Sequence, residues 1–435
     1  MQSSFINDVF RVGVSQGLII IFGLAVSIIT ARYIGPEGNG IIAGLTVYPS
    51  LFMSIGSLGI RQSTTYFLGK GVFTEEQIKT AITQIWVMTT IISSVVSFML
   101  MHYFSNFGSN LGLVFLAILP IPFSLFITYN SGIFLGRNDI KTFNKINWIP
   151  SLIAFLGILL FVIFLKWDLK GAMIASAGGS IFMFIVLLFK NKFLGFFSLE
   201  YNWDIIKQVL SLGTVYATAL FIINLNYRID VILLDKLSNA YELGIYVKSA
   251  GITQYLWQIP MFLSTVVFAR SAVTKNDKVF SLKVAQLLRV SIIFIGVLSV
   301  VLMFLSELII VGMFGEKFKE GTSVLNYLLP GVIILTVFKV MNMDLAGKGK
   351  PWISLKAMLP ALLINILLNF LLIPDLGARG AAISSSVSYG VAGILFLYFY
   401  SKTVGIPIRI ILGYNRNDFH PILSLLKNKY NNESL

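Results

Sequence analysis

Eight ionisable residues fall within or at the ends of long apolar runs: Arg32, Arg61, Arg228, Asp230, Lys248, Arg270, Lys339 and Asp344. A charge held at membrane depth costs about 2.5 to 3.5 kcal/mol or more unless it faces a wet cavity or a partner, so each is a candidate site. Six are cationic and two acidic. A cavity with that bias attracts an anion, and guanidinium suits bidentate contact with phosphate. Lys248 lies deepest in its run and is the strongest single candidate for anion binding. Arg32, Arg61 and Arg270 lie near run ends, where a long stem can instead snorkel to headgroups. In NLNYRID, Asn224 with Arg228 and Asn226 with Asp230 are i, i+4 pairs on adjacent helix faces. That arrangement suits either a structural hydrogen-bonded cluster or a substrate or coupling-ion site. Lys339 and Asp344 are expected to pair at a helix end. Asn365 and Asn369, also i, i+4, fit interhelical hydrogen bonding better than ligand contact. Asn224, Asn226, Asp230, Asp344, Asn365 and Asn369 thus form the coupling or gating set. GVSQG at 13–17 has the spacing of close helix packing.

The elements that position these groups must be transmembrane helices. The 435 residues are 56% hydrophobic and 12% charged, with mean hydropathy +0.84, more apolar side chain than a soluble core can hold. Runs of the ~20 residues needed to cross ~30 Å of hydrocarbon recur throughout. Twelve spans are expected, at about 9–31, 38–60, 80–101, 111–135, 146–165, 171–189, 208–227, 243–269, 290–306, 322–343, 357–373 and 380–401. The first is too long for a signal-peptide core and reads as a retained span. With no cysteine and only His102 and His420, disulfides, iron–sulfur clusters and thiolate zinc sites are excluded, and a catalytic imidazole is not expected. No GxxxxGK stands in the chain. No cofactor is expected.

The net charge of +14 could suggest nucleic acid, but its placement explains it better. With a cytoplasmic N-terminus, 24 Lys and Arg fall inside and 8 outside, Lys248 lying within a span, whereas acids divide 10 and 9. This is the positive-inside asymmetry, so both termini are assigned to the cytoplasm and no nucleic acid is expected.

Intramembrane landmarks recur at a nearly constant offset. Pro49 and Pro260, Pro120 and Pro330, Pro150 and Pro360, Arg61 and Arg270, Gly136 and Gly347, and Gly171 and Gly380 are each 209 to 211 residues apart. Six spans per copy is an even number, so the repeat is parallel and implies two six-helix lobes around a central cavity. The expected organisation is an N-terminal lobe at 1–189, a cytoplasmic interfacial linker at 190–207, a C-terminal lobe at 208–401 and a basic amphipathic tail at 402–435 on the inner surface. Matching prolines in both halves suggest helices that bend and lobes that rock, the machinery of alternating access.

Three segments carry a family resemblance: ARYIGPEGNGIIAG (31–44), LLDKLSNAYELGIYVKSAG (233–251) and LINILLNFLLIPDLGARGAAISSSVSYG (363–390). Their order and spacing resemble the Wzx-type flippases of the polysaccharide-export branch of the multidrug/oligosaccharidyl-lipid/polysaccharide exporter superfamily. The resemblance implies a multi-pass bacterial inner-membrane transporter that moves an undecaprenyl-pyrophosphate-linked oligosaccharide between leaflets for O-antigen, capsule or exopolysaccharide assembly. It also implies membrane lipids, a polysaccharide polymerase and a chain-length regulator as partners. The lipid II flippases and cation-coupled multidrug exporters of the superfamily are the alternatives. Lipid II flippases usually have fourteen spans and an arginine five residues before the eighth-span proline, where this chain has Tyr255 before Pro260. Multidrug exporters need cavity carboxylates, and the first span holds none. A membrane glycosyltransferase, polymerase or ligase usually needs a large outer loop or a carboxylate pair, and neither is evident. A channel reading leaves the repeat unexplained.

Overall fold

The computed structural model describes residues 2–415 and 418, apart from 58, 138, 197–201 and 275. Among them the chain is helical throughout, with no strand. The helices are α1 (Gln2–Gly56), α2 (Ile60–Lys70), α3 (Glu75–Phe104), α4 (Leu111–Ile118), α5 (Pro120–Gly136), α6 (Ile140–Asn147), α7 (Ile149–Ile158), α8 (Asp168–Lys190), α9 (Trp203–Leu237), α10 (Ala240–Val273), α11 (Asp277–Phe314), α12 (Gly321–Gly347), α13 (Ile353–Val404) and α14 (Ile408–Leu412). A π-helical turn, Leu159–Phe164, prolongs α7. Polar residues start the helices: Asn110, Asp139, Asn202, Asn239 and Asn276 each accept the backbone N–H three residues on, and Thr74 with Gln77 forms a capping box.

Nine helical stretches of the described residues are long and apolar enough to cross a membrane. Two exceed one crossing by more than a factor of two: Gly13–Lys70 at 58 residues and Ile353–Val404 at 52. Each is broken by a glycine at positive φ, Gly35 at 76° in α1 and Gly377 at 52° in α13. A side chain at either would be strained, and Pro36 and Pro374 remove helical donors beside the breaks. Asn39 restores continuity across the first break, its amide donating to Thr30 O at 2.9 Å and Gly35 O at 2.6 Å. Across the second, the Glu242 carboxylate accepts the Ala378 N–H at 2.8 Å.

The largest buried apolar cluster lies among α9 to α13, with α1, α3 and α4 packed on it; a second fills the space between α2, α3, α5 and α8 and takes in the start of α9. Large apolar side chains outside these cores, such as Phe304 and Leu308 on α11, are exposed. In water that would be unfavourable, whereas in hydrocarbon it is the expected outer surface of a multi-pass membrane protein.

The internal repeat reaches into the packing. Gly136 and Gly347 close α5 and α12. A Cβ on Gly171 would stand 2.9 Å from Phe161 O, and one on Gly380 2.4 Å from Leu372 O. Likewise Gly179 faces Pro150 O, and Ser388, 209 residues later, donates to Ala361 O. The GVSQG expectation is not met: a Cβ on Gly13 or Gly17 would touch nothing within 4 Å, so that spacing marks no close packing. The described part of the tail packs on the helices. Ile406 and Ile411 are buried in the larger cluster, and Arg289 on α11 grips Asp418 through both carboxylate oxygens, at 2.7 and 2.5 Å, while donating to Ile410 O and Ile411 O. The expected HPILSLLK segment and the linker's 197–201 stretch lie outside the described residues.

Candidate functional site

After the Gly35 break, α1 carries small polar residues at helical spacing: Asn39, Thr46, Ser50 and Ser54. Successive positions four apart lie on one face, so this half-helix presents a polar stripe inside an apolar run. Two cavities open along it, and the opposite half of the chain contributes one cation to each.

The first cavity, about 320 Å³, is lined by Ser27, Thr30, Asn39 and Thr46 of α1, Ser176 of α8 and Lys248 of α10. The Lys248 ammonium donates to the Thr30 hydroxyl at 2.8 Å, to Ser27 O at 3.0 Å and to the Ser27 hydroxyl at 3.3 Å. Three donors of an ammonium are thus satisfied in a half-buried position without a neutralising carboxylate. The second cavity, about 390 Å³, is lined by Ser50, Ser54 and Ser57, by Ser124 and Thr128 of α5, and by Asn224 and Arg228 of α9. Asn224 is fixed by donating to the Ser54 hydroxyl at 2.8 Å, while the Arg228 side chain is exposed to the space. Thr46 in one cavity and Ser50 in the other are one helical turn apart. Many hydroxyls around a single cation make a lining able to exchange hydrogen bonds with a polyhydroxylated anion.

The other i, i+4 pair of NLNYRID points elsewhere. Asp230 and Asn226 are fully buried against α13. The Asp230 carboxylate accepts from Ser385 at 2.6 Å, Asn369 at 2.7 Å and Tyr246 at 3.0 Å. Asn369 also donates to Asn365, and Asn365 to Asn226 O. Two amide oxygens of this cluster, Asn226 Oδ1 and Asn369 Oδ1, have no partner. Among the described residues no group of three or more acidic or histidine side chains could hold a metal ion.

The remaining sequence candidates are placed differently. Lys339 and Asp344 do not pair. The Lys339 ammonium sits over the Tyr227 and Trp257 rings at 4.1 and 4.8 Å, because five residues along α12 set the two side chains about 140° apart around the helix, Lys339 toward α9 and α10 and away from Asp344. Asp344 instead meets Lys348 at 3.0 Å and accepts from Ser271, Ser281 and Tyr400. Arg32 is exposed and caps the end of α11, donating to Met313 O at 2.9 Å and to Gly312 O. Arg61 and Arg270, repeat mates, are exposed near the opposite helix ends and line neither cavity. The serine and threonine lining was missed in the sequence, although the polar stripe of α1 stands there as a spacing of seven, four and four residues.

At the end bearing the Gly35 break the two halves meet backbone to backbone. A Cβ on Gly40 would fall 1.9 Å from Ala240 O, and one on Gly244 1.9 Å from Pro36 O. The two contacts are reciprocal, as around a pseudo-two-fold axis. Asn106, in the α3–α4 turn, donates to Asp235 O at the end of α9, so this end is shut while the Arg228 cavity lies deeper.

The family described as Polysaccharide biosynthesis protein matches residues 29–323, and the chain belongs to it. A capsular polysaccharide biosynthesis protein, CapF of Staphylococcus aureus, is 29% identical over 211 residues, 47% of this chain and 53% of that protein; the chain thus aligns with about half the length of that relative. An uncharacterised membrane protein of Methanocaldococcus jannaschii is 24% identical over 86% of this chain and 94% of its own. A probable low-salt glycan biosynthesis flippase, Agl15 of Haloferax volcanii, is 27% identical over 22% of this chain and 20% of its own. The fold is that of the lipid II flippase MurJ in its inward closed conformation, with TM-score 0.75, 15% identity and 95% of each chain covered. It is also that of an inward-facing MATE family transporter of the MOP superfamily, with TM-score 0.69, 15% identity and 89% and 94% coverage.

Proposed function

We propose that this member of the polysaccharide biosynthesis family is a flippase for undecaprenyl-pyrophosphate-linked oligosaccharide repeat units. It carries them from the cytoplasmic to the outer leaflet of a bacterial inner membrane for O-antigen, capsule or exopolysaccharide assembly. Twelve crossings arise when α1 and α13 each cross twice, and the lobes are 1–189 and 208–401, joined by 190–207. Both termini are cytoplasmic, which makes the Gly35 end the outer one.

The observation that carries the reading is the pairing of one cation with a hydroxyl-rich lining in each of two adjoining cavities, Arg228 in one and Lys248 in the other. Pyrophosphate engages the cation and sugar hydroxyls exchange with serine and threonine, while the polyprenyl chain stays in lipid. No covalent bond changes, so no catalytic residue is invoked. Movement follows from closing one end and opening the other. Moving the anionic headgroup out of a negative-inside cell is downhill by about 2.3 kcal/mol per charge per 100 mV. The Asp230, Asn226, Asn365 and Asn369 cluster, with its two unpartnered amide oxygens, is the candidate coupling-ion seat, and Asn224 positions the substrate-facing edge. Asp344 holds four helices together and acts in gating only through that role.

Native mass spectrometry of the purified protein tests the reading directly. Undecaprenyl pyrophosphate carrying an oligosaccharide is expected to bind, undecaprenol is not, and R228Q is expected to weaken binding about tenfold or more. Equal binding of both lipids would remove the headgroup site.

A further inference from the structure

Asp235, one turn beyond Asp230 near the outer end of α9, is 1% exposed, and neither carboxylate oxygen has a hydrogen-bond partner. Its carboxylate faces the other half of the molecule, where a Cβ on Gly44 would stand 3.2 Å from its Cγ. From α1, Tyr48 comes close enough to feel its charge; that residue is 3% exposed and its hydroxyl is also unpartnered. From the α3–α4 turn, the Ser105 hydroxyl and the Asn106 backbone N–H point toward the carboxylate and favour its anion, but fall short of ordinary hydrogen-bond geometry. Lys236, the adjacent residue on its own helix, is exposed, and its attraction is the smallest of the influences on the carboxylate. His102, on the last turn of α3, is exposed and stands 3.4 Å from Gly108 O. Burial outweighs these weak influences, and among the described residues no cation forms an ion pair with the carboxylate.

An ionised carboxylate left dry and unpaired costs several kcal/mol, whereas the neutral acid loses only a modest hydrogen bond. The same group opened to water is stable as the anion. Closure of the outer end therefore has to bring a proton with it. One carboxylate with two hydroxyls nearby is too sparse for a metal cation, which takes six or so oxygens, but it is enough for a proton.

We propose that Asp235 is a proton-binding group of the interlobe seam. An O–H bond forms between its carboxylate and a proton from the outer water as the halves close, and breaks, returning the proton, as they part. This couples the outer gate to external pH at a site separate from the Asp230 cluster, whose carboxylate already takes three donors. The inference goes beyond the glycan reading and needs no glycan for its test.

The chain has no cysteine, so Ser109→Cys and Glu316→Cys, both exposed at the outer end on opposite sides of the seam, can be spin-labelled as a pair. The distance between them is measured by pulsed electron resonance in nanodiscs, without substrate, from pH 5 to 8.5. The expected result is a rise of the long-distance population with pH in the otherwise native protein. Asp235→Asn, an uncharged isostere, is expected to hold the short distance throughout, and Asp235→Glu to keep the response with a displaced midpoint. His102→Gln is expected to leave the response intact. An absent pH response, one that survives Asp235→Asn, or one replaced at fixed pH by a response to sodium overturns the proposal and leaves the flippase reading standing. Failure of Asp235→Asn to fold is covered by Asp235→Glu, for which an unmoved midpoint contradicts the assignment.

Discussion

Gly40 and Gly244 occupy equivalent places in a reciprocal crossing: each lies where a Cβ would fall 1.9 Å from the other helix's carbonyl, Ala240 O for Gly40 and Pro36 O for Gly244. No side chain fits, so the two half-helices approach as closely as backbones can. In the proposed transport cycle this crossing is the outer gate. Gly40→Val or Gly244→Val should therefore hold the outer end open and reduce transport by about tenfold or more, since overpacking of this kind costs about 1 to 3 kcal/mol. A longer distance between spin labels at Ser109→Cys and Glu316→Cys, with unchanged expression, checks it.

Lys248 spans the halves, rooted in α10 and donating to Ser27 and Thr30 of α1. Lys248→Ala and Arg228→Ala are each expected to lower transport about tenfold or more, with Lys248→Arg milder. Arg270→Ala, which removes an exposed cation outside both cavities, is expected to be the mildest of these. Transport rates normalised to protein in the membrane distinguish the series.

Asp344 is fully buried among Ser271, Ser281, Tyr400 and Lys348. Its removal leaves the Lys348 ammonium and three hydroxyls without their acceptor. Asp344→Ala is expected to cost about 3 to 5 kcal/mol, the penalty for breaking a buried pair from one side. A fall in melting temperature in detergent, larger than that of Lys348→Ala, is the readout.

The Arg289 guanidinium beside Asp418 holds its carboxyl below the usual carboxylate range. The folded group is thus the stronger acid, so its contribution is complete above the unfolded value near 3.9 and is lost only as pH falls through the lower folded value. Docking of the segment around α14 is expected to persist from pH 8 to about 5 and to weaken below about 4. Arg289→Ala should release it at every pH. Hydrogen exchange of residues 408–412 reports both.

Much of the fold was legible because membrane insertion imposes a coarse physical code. Apolar run length marked every stretch that became a long helix, and two of the recurring glycine pairs, Gly136 with Gly347 and Gly171 with Gly380, stand in matching surroundings. The two i, i+4 pairs of NLNYRID separated as the 3.6-residue period requires, one toward a cavity and one into the buried cluster. What escaped was set by tertiary geometry. Arg32 reaches a helix end 280 residues away, Lys339 sits over aromatic faces instead of Asp344, and the burial of Asp235 is made by the other half of the chain. GVSQG failed because spacing alone does not say which helix face meets a neighbour.

The most direct test is leaflet exchange in proteoliposomes loaded with labelled undecaprenyl-pyrophosphate oligosaccharide, followed with a membrane-impermeant reagent under an imposed potential. Exchange well above protein-free liposomes is expected, accelerated by a potential that draws the anion outward and reduced about tenfold by Lys248→Ala or Arg228→Ala. Absence of exchange with several glycans, together with efflux of cationic dyes, would contradict it.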